Sequence, residues 1–102
     1  MVMDVRLLSF DGCPNAAIAR QRLAEAFESL GLDVSVITYA TVDNVEEAER
    51  VTFRGSPSIL VNGSDPFAEP DSPVGLSCRI YRTDAGTEGA PSVDELIAVL
   101  RS

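Results

Sequence analysis

Apolar and polar positions along this chain switch between two spacings, and the switches divide it into elements. Residues 5–10, Val-Arg-Leu-Leu-Ser-Phe, are apolar with little alternation, which predicts a short strand buried on both faces in a parallel arrangement. Asp11-Gly12 ends the run. Cys13-Pro14 then opens a pattern in which Ala16, Ala19 or Arg20, Leu23, Phe27 and Leu30 recur at three and four residues, with Arg20, Arg22, Glu25 and Glu28 on the other faces. This predicts a long amphipathic helix, with proline tolerated in its first turn and Gly31 at its end. Residues 33–39, β-branched and partly alternating at Val34, Val36 and Tyr39, predict a second strand that places Tyr39 in the core. Asp43 with Glu46 predicts a capping box for a short helix burying Val45, Ala48 and Val51.

The second half is more broken. Ser58–Val61 predicts a strand, with Pro57 at its entry and Asn62-Gly63 as a turn. Residues 64–77 hold three prolines with Asp65, Glu69 and Asp71, a loop longer than a hairpin needs. Residues 78–82, Cys-Arg-Ile-Tyr-Arg, alternate as a strand with Arg79 and Arg82 on a solvated face. A loop containing Asp84, Gly86, Gly89 and Pro91 leads to a capping box at Ser92 and Glu95. That box opens a last helix burying Val93, Leu96, Ile97 and Leu100. The expected order is β-α-β-α-β-β-α, an α/β fold with a four-stranded mixed sheet flanked by helices, and residues 1–102 suit one domain.

Composition changes this picture by exclusion. A net charge of −8 with no basic cluster argues against nucleic acid and anionic membrane surfaces as partners. No basic region leads into a long apolar run at the N-terminus, and a cytoplasmic protein is expected. There is no histidine, and all eight basic residues are arginine, which removes histidine triads, histidine metal sites, Schiff-base lysines and P-loop lysines. No cofactor or resident metal is expected. What remains for chemistry is thiol, carboxylate, hydroxyl or arginine.

Of two cysteines, Cys13 stands where a strand hands over to a helix. The unpaired N–H groups and partial positive charge of a helix start favour thiolate there, while Asp11 and the acidic total oppose it. An ordinary small residue at a turn fits the same stretch. Cys78 would begin the fourth strand, and antiparallel pairing with the third would leave it at the end of the sheet remote from Cys13. A strand of five residues spans about 17 Å, whereas a disulfide needs Cα atoms within about 7 Å. Cys78 then reads as a small buried hydrophobe rather than a second thiol for the site. Asp11 fits a turn former or a proton acceptor, and Asn15 fits either substrate orientation or solvent.

The element order, Cys13-Pro14 at the first helix and Gly55-Ser56-Pro57-Ser58 before the third strand resemble the thioredoxin-like superfamily over essentially the whole chain. The Gly-Ser-Pro-Ser, Gly-x-Asp-Pro-Phe and Gly-Leu-Ser-Cys-Arg-Ile-Tyr-Arg stretches are similar to small bacterial members, some of which carry an alkylmercury lyase label. The resemblance implies a cis Pro57 beside an active Cys13, with Pro14 and Asn15 near the substrate. It also implies that the Ser56 backbone receives an extended substrate by strand addition. The resolving cysteine of Cys-x-x-Cys is replaced by Ala16, which leaves monothiol exchange with a protein or low-molecular-weight disulfide as the expected activity. Two other readings stand beside it: a binding module using the same groove without redox chemistry, and soft-metal capture, which needs two sulfurs to converge.

Overall fold

A computed structural model describes residues 3–69 and 73–101. The central strand is β1 (Val5–Ser9), flanked by β2 (Ile37–Thr41) in parallel and β3 (Ser58–Val61) in antiparallel, giving the order β2-β1-β3. Helix α1 (Pro14–Leu30) and helix α3 (Val93–Arg101) pack on one face, and α2 (Val45–Val51) on the other. Central position explains the continuous apolarity of β1. Val5 and Leu7 join Leu23, Phe27, Ile59 and Leu96 on the α1/α3 side, while Leu8 meets Val42, Ala48 and Phe53 on the α2 side. Burial of a side chain such as Phe27 or Phe53 contributes about 1.5–3 kcal/mol.

Local signals fix several boundaries. Gly31 adopts φ 68°, and the chain closes the end of α1 through Gly31 N–H to Glu28 O and Leu32 N–H to Phe27 O. Ser92 and Glu95 exchange the reciprocal hydrogen bonds of a capping box at the start of α3. The short α2 is capped one residue later than expected: Asn44, not Asp43, accepts from Glu47 N–H at 2.8 Å. Val45 stays exposed, while Ala48 is buried.

Three expectations change. Residues 34–36 form a 3₁₀ turn, in which Asp33 accepts from Ser35 N–H, so the second strand starts only at Ile37. It is an edge strand, so Tyr39 is exposed under the Arg20 guanidinium, 4.2 Å from the ring centroid, rather than in the core. The third change is the sheet itself, which among the described residues has three strands, not four. The segment after the long loop does not return along β3. It forms a separate hairpin of β4 (Tyr81–Thr83) and β5 (Gly86–Glu88), whose second strand falls where a loop was expected. Pro70 and Asp71 of the long loop lie outside the described residues. No described helix is long and apolar enough to cross a membrane.

Candidate functional site

Cys13 is the N-cap of α1, with extended backbone (φ −70°, ψ 116°). Its N–H donates to Phe10 O and its carbonyl accepts from Ala16 N–H, both at 3.3 Å, so the turn after β1 fixes where the thiol emerges. The side chain makes no capping hydrogen bond and is partly exposed, leaving the sulfur uncommitted. It lines a hollow of about 340 Å³ with Leu7, Ser9, Ala16, Arg20 and Tyr39, between the first turns of α1 and the β1/β2 edge. Pro14 is exposed at the helix start. Asn15 is half-buried against Gly89, where any side chain would overlap it. Asp11 and Gly12 form an exposed turn, with Gly12 at φ 82°.

Because β3 runs antiparallel to β1, with Ser58 opposite Leu8, residues 56–57 lie at the same end of the sheet as Cys13. The Ser56-Pro57 peptide is cis. Ser56 is fully buried, and its hydroxyl accepts from Phe10 N–H at 3.3 Å, tying the strand entry to the turn that carries Cys13. Its backbone is already used: Ser56 N–H donates to Ser77 O at 2.8 Å, and Ser56 O accepts from Arg79 N–H at 3.0 Å. Residues 77–79 therefore lie alongside Ser56 as a parallel bridge centred on Cys78. Gly55, at φ 111°, permits this approach, since a Cβ there would stand 3.0 Å from both Arg79 Cβ and Ser77 O.

This bridge corrects the placement of Cys78. The thiol is exposed rather than buried, and it belongs to the Ser56 end of the sheet rather than the far end. It opens on a different hollow from that of Cys13. The physical reason is Arg79. Its side chain does not lie on a solvated face but is buried, paired with Asp65 at 2.5 Å and donating to Ser58 Oγ at 3.1 Å. It also stacks over Tyr81, 4.7 Å from the ring centroid. Asp65 comes from the loop after β3, so the ion pair folds that loop and the following segment across the strand entry. Burial pushes the Tyr81 phenol well above its ordinary value, and the hydroxyl donates to Pro57 O.

Sequence reasoning missed two further contributors. Arg22, expected on a free helix face, reaches Glu88 at 2.8 Å and the carbonyls of Ala90 and Pro91, pinning the hairpin to α1. Arg20 with Tyr39 forms one wall of the hollow at Cys13. Only the four-residue helical spacing of Arg20 from Ala16 pointed towards that wall. No group of three or more Cys, Asp or Glu among the described residues is arranged to hold a metal ion. The chain matches no known family model, no curated protein and no solved structure.

Proposed function

We propose that this is a thioredoxin-like protein that carries out thiol-disulfide exchange through Cys13 as a single thiol. The carrying observation is a partly exposed, uncommitted cysteine at the first cap of a 17-residue helix, directly after the central strand and beside a hollow. The parallel β1/β2 pair, the antiparallel β1/β3 pair and the shared sheet end of Cys13 and Pro57 support the fold assignment.

In the exchange, the Cys13 thiolate attacks one sulfur of a disulfide. The old S–S bond breaks, one thiolate leaves and a mixed disulfide forms on Cys13. Ala16 offers no sulfur one helical turn away, and Cys78 opens elsewhere, so a second thiol from solution attacks the mixed disulfide and restores Cys13. The Ser56 backbone is paired with residues 77–79, so the substrate that fits is a small disulfide entering through the Arg20/Tyr39 hollow. A reducing compartment would keep both cysteines as resting thiols.

The test is turnover of a small mixed disulfide with glutathione as second thiol, in the Cys78→Ser protein with and without Cys13→Ser, so that only Cys13 is at stake. Loss of at least about a hundredfold in Cys13→Ser, with an unchanged urea midpoint, is the expected result; it amounts to about 2.7 kcal/mol of transition-state stabilisation. Equal turnover in the two proteins refutes the reading and leaves a binding module without redox chemistry.

A further inference from the structure

Cys78 sits in surroundings unlike those of Cys13. The hollow it lines, about 360 Å³, also takes in Arg54, Arg79, Arg82, Ile80 and Glu69. Three of the chain's eight arginines, against the one carboxylate of Glu69, thus line the same hollow as this thiol in a protein of net charge −8. Asp65 neutralises Arg79. Among the described residues the other two have no ion pair, and the Arg54 Nε is a buried donor with no acceptor. That nitrogen is closed off from solvent and so from the hollow; what the hollow offers an anion is the guanidinium charge of Arg54 and Arg82 along its lining. The thiol itself is presented on a held segment, since its two neighbours are hydrogen-bonded to the buried Ser56 backbone.

We propose that Cys78 is a second reactive thiol and that the arginines around it select acidic low-molecular-weight disulfides, which modify it to a mixed disulfide. The inference does not depend on exchange at Cys13. The Cys78 thiol gives up its proton, and its sulfur attacks one sulfur of the acidic disulfide. That S–S bond breaks, a new one joins Cys78 to half of the reagent, and the other half leaves as a thiolate that takes up a proton. The incoming disulfide is the oxidant: Cys78 is oxidised to the disulfide level and the departing half is reduced to a thiol. The reagent's carboxylates sit against Arg54 and Arg82, where an arginine can bind a carboxylate through two N–H groups.

The overall negative charge makes the test sharp, because the field of the whole protein favours a cationic reagent at an average surface site. The Cys13→Ser protein is treated separately with glutathione disulfide, which is acidic, and with cystamine, which is cationic. The rate of each Cys78 adduct is read by peptide mass mapping and divided by the rate for the same chain unfolded in urea. That normalisation removes the intrinsic difference between the reagents. The expected result is a preference for the acidic reagent of about three- to tenfold, the size of one or two charge contacts at a partly exposed site. It falls close to unity in Arg82→Gln, in Arg54→Gln and at high salt. A preference for cystamine, equal normalised rates, an unmodified Cys78, or a preference that survives both arginine substitutions overturns the proposal. The same maps on the wild type show whether Cys13 takes an adduct, so failure at one cysteine is distinguishable from failure at the other.

Discussion

Arg79 puts a guanidinium where almost no water reaches it: its side chain is 7% exposed, and that of its partner Asp65 is 2% exposed. Taking both charges out of water is expensive, and their attraction offsets that cost only while the pair is intact. Asp65 is further held by accepting from Phe67 N–H at 2.9 Å. Asp65→Leu is therefore expected to destabilise the protein by about 3–5 kcal/mol, because it leaves a buried cation unpaired. Adding Arg79→Met should recover most of the loss. Urea denaturation with an unchanged m-value is the check, and a double variant as unstable as the single one would show that the cost lies elsewhere. The pair was invisible in the sequence for a simple reason. Alternation in residues 78–82 assigns Arg79 to the polar face of a strand, and nothing local announces a carboxylate 14 residues earlier.

At the scale of elements, what could be read from the sequence is what local chemistry decides. Pro14 and Gly31 bound α1, and Ser92 with Glu95 start α3, because each acts within one turn of its own helix. Ser92→Ala removes the acceptor for Glu95 N–H and should cost about 1 kcal/mol, read as a lowered urea midpoint. Ser92→Asn should restore most of it, since asparagine can also accept that bond. The elements misplaced from sequence are those decided by distant partners. Tyr39 looked like a core residue because alternation cannot tell an edge strand from a central one, and the aromatic ring meets Arg20 instead of the interior. Cys78 went to the wrong end because a strand, loop and strand normally form a hairpin, whereas the Arg79–Asp65 pair and the Ser56 hydrogen bonds draw this segment back across Pro57. Of the candidate site, Cys13 and its place at the end of β1 were legible; the Arg20/Tyr39 wall and the occupied Ser56 backbone were not.

For the whole molecule, the hairpin is joined to the body through Arg22 and Glu88. The Arg22 hydrogen bond, and after it that of Thr83, hold the Glu88 carboxyl below its ordinary value of 4.5. A carboxyl with a depressed pKa in the fold stabilises it above the unfolded value, and that contribution is lost as the pH falls through the lower, folded value. The decline in stability below pH 4.5 should accordingly be shallower in Glu88→Gln than in wild type. The comparison must be a difference between the two proteins, because acid also relieves the mutual repulsion behind the net charge of −8. Urea midpoints taken from about pH 6 to about pH 3 check this, and parallel curves would refute it. The bridge between Ser56 and Cys78 has a consequence at the same scale. A tethered segment competes with any outside peptide at an effective concentration of roughly millimolar. Were its intrinsic hold micromolar, an outside strand would bind about a thousandfold more weakly than to an open edge. The chain is its own resident ligand at that edge, and reagents too small to need backbone pairing escape the competition.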